Sequence, residues 1–190
     1  MQEKITRALK EQSQTLTDSI PPQEPALAAF AERLLEGFHQ GGRLLVFGSG
    51  PLSLLAAMIA QQFHYRLALE RPLLPALALG HDASLASVLA RDGRGADYFS
   101  RQLRVLAQPG DIVLALTDAP RDEAVAQGLE VARELGCTTA LLQQRRGENL
   151  QDQTDFHFRI ETDAPARGLE GILFVGQLLC ELVEAELFGS

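Results

Sequence analysis

The chain has 190 residues, 46% hydrophobic and 22% charged, with a formal net charge of -8, which suits one compact domain with a full core and a helical extension. That acidic balance opposes a general affinity for nucleic-acid phosphates, and no apolar run reaches the ~20 residues that a bilayer-spanning helix needs. Cys137 and Cys180 lie in apolar patterns without the spacing of a metal clip or a redox pair, so the expectation is a soluble cytoplasmic protein with no metal centre, no cofactor, no membrane partner and no direct nucleic-acid contact.

Residues 2–18 place Ile5, Leu9 and Leu16 at near-helical spacing among Lys, Gln and Thr, a stripe too thin for a helix that stands alone. Such a helix requires a partner. SIPPQEP at 19–25 ends it, because proline removes a donor and restricts the residue before it. The stretch 26–42 predicts an amphipathic helix with Leu27, Phe30, Leu34, Leu35 and Phe38 on one side and a stop at Gly41-Gly42. Strand-length apolar runs follow at 44–47, 76–79, 112–116, 138–142 and 156–160, with helical patterns between most of them. Near-continuous apolar strands joined by helices imply a parallel sheet covered on both faces, a doubly wound α/β domain. Residues 167–188 carry Leu169, Leu173, Leu178, Leu179, Leu182, Val183 and Leu187 and predict a long closing helix. The expected organisation is N-terminal helices over 1–42, packed on the core and on an oligomer, and an α/β domain over 43–190, one structural unit in all.

Ligands of open α/β sheets bind at the carboxyl ends of strands, where helix N-termini present free donors. Two loops qualify: GSGPLS after the first strand and TDAPRDE after the third. In the first, Gly48, Ser49, Gly50 and Ser53 are candidate ligand groups; in the second, Thr117, Asp118 and Arg121. The third glycine of a dinucleotide fingerprint is missing, Glu70 lies before the second strand rather than at its end, and no Gly-Lys-Ser or Gly-Lys-Thr occurs. TDAPRDE also reads as a helix start, with Thr117 or Asp118 as cap, Pro120 in the first turn and Asp122 and Glu123 complementing the dipole. A carboxylate ~5 Å from a bound phosphate would repel it by about 3 kcal/mol at an effective dielectric of ~20. Asp118 is then expected to act as a built-in anion at the helix end.

The strand-GSG-helix opening, ERPLLPALAL at 70–79, ARDGRGADYFSRQLRVLAQPGDIVLAL at 90–116 and the ending CELVEAELFGS resemble the sugar isomerase (SIS) superfamily, in particular the phosphoheptose isomerase group and the related DnaA initiator-associating proteins. The resemblance implies a five-stranded parallel sheet flanked by helices, Rossmann-like and three-layered, and a homotetramer. Against the family stretch GNGGSxxDAxHxxxE, Leu52 stands for the phosphate-binding serine, Leu55 for the aspartate, Met58 for the histidine and Gln62 for the glutamate. In the last helix Arg167 and Glu170 match, whereas Leu169 replaces a glutamine, and Ile172 and Gln177 replace histidines. Met58, Gln62 and Gln177 do not titrate as isomerisation requires, and they substitute poorly as zinc ligands. The four histidines His39, His64, His81 and His157 are spread over separate elements; His64 is the reserve candidate for acid-base work near the cleft. Glu70, Asp82 and Asp92 are expected as caps and salt-bridge partners.

The resulting expectation is a non-catalytic, oligomeric scaffold, a DnaA-associating regulator of replication initiation, with Leu187 and Phe188 as contact residues or as packing within the tetramer. The alternative is a phosphosugar-binding sensor or a phosphoheptose isomerase-like enzyme acting on sedoheptulose 7-phosphate.

Overall fold

In a computed structural model of the chain, residues 1–145, 150 and 153–189 are described. The elements run α1 (Gln2–Ser19), α2 (Glu24–His39), β1 (Leu44–Gly48), α3 (Leu52–His64), β2 (Ala76–Ala78), α4 (Ala83–Arg91), α5 (Tyr98–Leu106), β3 (Ile112–Thr117), α6 (Glu123–Glu134), β4 (Thr138–Gln144), β5 (Phe156–Ile160) and α7 (Pro165–Phe188). The five strands form one parallel sheet in the order β2-β1-β3-β4-β5. The expected fold is therefore the observed one. The chain proceeds outward from β1 to β2, then crosses back to β3 on the other side, so the topological switch point lies between β1 and β3.

Alternation along each strand divides the core into two layers. Leu44, Val46, Ile112, Leu114 and Leu116 face a layer completed by α2, α3 and α7, whereas Leu45, Phe47, Val113 and Ala115 face α5 and α6. Burial on both faces explains why these strands show apolar runs rather than alternation. From α2, Leu27, Phe30 and Leu34 are buried, while Leu35 and Phe38 are partly so.

The stripe on α1 is not what anchors that helix within the chain. Ile5 is 66% and Leu9 72% exposed, and the buried residues of α1 are Thr15 and Ser19. The Ser19 hydroxyl accepts the Glu161 N–H at 2.9 Å. Beyond α1, the Gln23 amide accepts the Arg159 N–H and donates to its carbonyl, both at 2.8 Å. These contacts occupy the outer edge of β5, which would otherwise present unpaired backbone groups.

A second tie fixes the α3–β2 connection. Arg71 and Glu184 pair at 2.7 Å with side chains 0% and 3% exposed. Glu184 also accepts the N–H groups of Leu67 and Ala68, and Arg71 donates to the carbonyls of Gln62, Phe63 and Pro72. Burial alone would raise the Glu184 pKa, but the donors from Leu67, Arg71 and Ala68 outweigh it and hold the carboxyl below its ordinary value.

Candidate functional site

A cleft of about 560 Å³ opens at the carboxyl ends of β1 and β2, the end of the sheet at which open α/β folds bind their ligands. Its floor is the β1–α3 turn. A Cβ on Gly48 would come within 2.9 Å of Leu52 Cβ and 3.0 Å of the Leu116 carbonyl oxygen, while Gly50 adopts φ +56°. The first glycine permits close approach of β1 to its neighbours, and the second turns the chain through a conformation that side chains disfavour. Ser49, Gly50 and Ser53 line the cleft from this side, Gly80 and His81 from the end of β2, and Tyr98 and Phe99 from α5; Ala124 brings in the first turn of α6.

The hydroxyls here are already engaged. Ser53 Oγ donates to the Gly50 carbonyl at 2.9 Å. Ser49 Oγ donates to Asp122 Oδ1 at 3.2 Å, and Thr117 Oγ1 stands 3.5 Å from Asp122 Oδ2. Asp122 is the cap of α6, its carboxylate accepting the Val125 N–H at 3.1 Å. This corrects the sequence expectation for the loop. Thr117 still pairs with Gln143 in the sheet, so it cannot begin a helix; the chain needs the next residues to turn, and Pro120 falls in that turn rather than in the first helical one. Asp122, not Asp118, is the anion built into the helix end.

Of the residues selected from the sequence, Gly48, Ser49, Gly50 and Ser53 come together in the cleft, whereas Thr117, Asp118 and Arg121 are not among the described residues that line it. Arg121 is instead paired with Glu123 at 2.7 Å on the surface. His64 is also displaced from its expected place. The cleft is at the start of α3 and His64 at its end, about 18 Å along the axis at 1.5 Å per residue. His81 is the histidine that lines the cleft. Applying the strand-end rule to β2 as well as to β1 and β3 would have found it. Tyr98 donates its hydroxyl to the Asp82 carbonyl at 3.0 Å, and burial, then the nearby Asp82 charge, raises its pKa. Asp82 caps α4 through Leu85 N–H, Asp92 pairs with Arg91, and Glu70 pairs with Arg66. These are the structural roles expected for them.

The positions at which the family carries its acid-base and metal groups lie along α3 and α7 rather than in the cleft lining. Leu52 is fully buried, Leu55 packs against the core, Met58 is 44% exposed and Gln62 is 7% exposed. Leu169 packs against the core layer and Gln177 is half-buried. A thioether, two amides and an alkyl group make a poor donor set for zinc, and no cluster of three His, Cys, Asp or Glu able to hold a metal occurs among the described residues. Residues present here therefore do not fit the family's metal site. At the C-terminus, Leu187 packs partly on the core, while Phe188 is 37% exposed with the Arg71 guanidinium 5.8 Å from its ring centre. Ser190, the last residue of that candidate contact segment, lies outside the described residues. No helix among the described residues is long and apolar enough to cross a membrane.

A family model for the SIS domain matches residues 9–142. The phosphoheptose isomerase of Trichlorobacter lovleyi is 37% identical over 163 residues, covering 86% of this chain and 83% of the relative. The phosphoheptose isomerase of Thermodesulfovibrio yellowstonii is 30% identical over 188 residues, covering 99% and 94%. Among solved structures, a phosphoheptose isomerase from Francisella tularensis superposes with a TM-score of 0.88 at 24% identity, covering 95% of this chain and 96% of that one.

Proposed function

The chain belongs to the SIS-domain family, in its phosphoheptose isomerase-like group, and from that membership we propose that it binds a phosphosugar or a close sugar derivative in the cleft beside Gly48 and does not isomerise it. One observation carries this. The glycine turn and the cavity beside it are present, while the positions that would move a proton between adjacent carbons hold Met58, Gln62 and Gln177, none of which titrates usefully. Binding framework and catalytic equipment are separable here, because the first is backbone geometry and the second is side chains. Calorimetric titration with sedoheptulose 7-phosphate and with unphosphorylated sedoheptulose, run beside an isomerase assay, tests the proposal. Heat from either sugar without turnover is the expected result. Turnover would overturn the non-catalytic part, and absence of binding by both sugars would remove the whole.

A second reading is an oligomeric scaffold, close to the DnaA initiator-associating proteins, in which residues 1–42 pack between subunits of a homotetramer and 43–190 form the SIS domain. It is supported by the large apolar side chains left on the surface of this chain: Ile5 and Leu9 on α1, Leu54 on α3 and Phe188 at the end of α7. A tetramer would raise the effective concentration of whatever it displays. Sedimentation gives the assembly, and recovery of DnaA by wild type but not by Leu187→Ala with Phe188→Ala gives the contact; equal recovery by both would remove it. Cytoplasmic placement is supported by two unpaired thiols, Cys137 and Cys180, which burial pushes up to about 11 and about 12.

A further inference from the structure

The cleft can be assigned a preference from its donors and acceptors. Ser49 and Ser53, which line it, direct their hydroxyl protons within the protein, to Asp122 and to the Gly50 carbonyl, and Thr117, outside the lining, directs its own toward Asp122. Of the backbone donors nearby, Val125 N–H binds the Asp122 carboxylate and Ala119 N–H binds Thr117 Oγ1 at 3.3 Å. What the Ser49 and Ser53 hydroxyls still offer a ligand is oxygen lone pairs, since a hydroxyl has one proton and two acceptor sites. No lysine or arginine is among the described residues lining the cleft, and Arg121, the nearest cation in sequence, is engaged by Glu123.

From this arrangement we infer that Asp122, which is outside the lining itself but holds the hydroxyl of the lining residue Ser49 at 3.2 Å, supplies the negative charge at that end of the cleft, so that the ligand presents a hydroxyl or an ammonium group, not a phosphate, to the end of α6. The inference rests on the sugar-binding reading for the ligand's class, but the role of Asp122 is testable apart from it. A charge pair ~5 Å apart at an effective dielectric of ~20 alters affinity on the order of 100-fold. Serine at position 122 removes the carboxylate while retaining a residue that caps helices well, so the fold is expected to survive, and circular dichroism with a thermal melt verifies this. Asp122→Asn keeps the shape of the side chain and removes only the charge, and it serves if the serine variant is poorly folded.

The experiment titrates inorganic phosphate, sedoheptulose 7-phosphate and sedoheptulose into wild type and Asp122→Ser. Wild type is expected to bind sedoheptulose more tightly than its phosphate ester and to show no heat with inorganic phosphate. The variant is expected to reverse the order of the two sugars and to gain on the order of 100-fold in affinity for the phosphate ester. Tighter binding of the phosphate ester by wild type, or no gain for either phosphate ligand in both variants, would overturn the inference. If neither sugar binds either protein, the sugar-binding reading fails, and the inorganic phosphate titration still decides the role of Asp122.

Discussion

Glu184 and Asp122 both gather donors around their carboxylates, and they differ in what neutralises them. Glu184 lies under the C-terminal helix with a guanidinium at 2.7 Å and backbone N–H groups from the α3–β2 connection. Asp122 stands beside the cleft with a serine hydroxyl, a threonine hydroxyl and one backbone N–H, and no cation among its hydrogen-bond partners. Where a counter-ion is built in and both partners are buried, the charge is consumed by the fold. Where only neutral donors surround it, the charge remains to be felt by whatever enters the adjacent cavity. The first carboxylate therefore serves the architecture and the second can govern binding.

The comparison breaks most severely at Arg71. Removing one member of a buried pair leaves an uncompensated charge, at a typical cost of about 3–5 kcal/mol, so Arg71→Leu is expected to lower the urea midpoint or prevent folding altogether. Acid should act on the same point. A carboxyl held below its unfolded value of 4.5 contributes stability that is complete above that value and is lost as pH falls through the lower folded one. Wild type should therefore lose stability on acidification below about pH 4.5, and Glu184→Gln, less stable at neutral pH, should show a flatter dependence in that window when urea midpoints are measured across it.

At the cleft the expected effects are smaller. Gly48→Ala places a methyl 2.9 Å from Leu52 Cβ and 3.0 Å from the Leu116 carbonyl, an overpacking that typically costs about 1–3 kcal/mol, and thermal unfolding reads it directly. Asp122→Ala loses the cap of α6 and is expected to cost about 1 kcal/mol, again by thermal unfolding. A loss as large as that of Arg71→Leu would mean that Asp122, too, is chiefly a structural group.

The architecture was legible because strands buried on both faces leave near-continuous apolar runs such as 44–47 and 112–116, and because Gly41-Gly42 and SIPPQEP punctuate the helices that precede them. The site was legible only in part. Gly48 and Gly50 announced their turn, since close approach and positive φ are demands that few other residues meet. TDAPRDE did not announce its cap: Thr117, Asp118 and Asp122 are all capable residues, and the choice among them depends on where β3 stops pairing with β4, a matter of register. His64 and His81 were exchanged for a related reason. Distance along a helix becomes distance from the cleft only once the direction of α3 is known. The sealing of β5 by Gln23 left no sequence signal, because a glutamine that pairs with a strand edge looks like any other polar residue.

The smallest expected effect concerns Met58 and Gln62, two of the replaced positions on α3, and it separates them. Met58 is 44% exposed, so Met58→His should change unfolding stability by no more than about 0.5 kcal/mol. Gln62 is 7% exposed, and its side-chain oxygen has no hydrogen-bond partner among the described residues. Gln62→Glu would put a charge in that environment, and burial without a partner disfavours the ionised form. The variant's stability should accordingly fall as pH rises through the ordinary glutamate range, relative to wild type, since the unfolded chain ionises there more readily than the folded one. Parallel urea titrations of the two single variants on either side of that range make the test. If Gln62→Glu proves as neutral as Met58→His at every pH, the position is reached by solvent or by a neighbouring cation, and restoring acid-base groups on α3 would meet no obstacle from the fold itself.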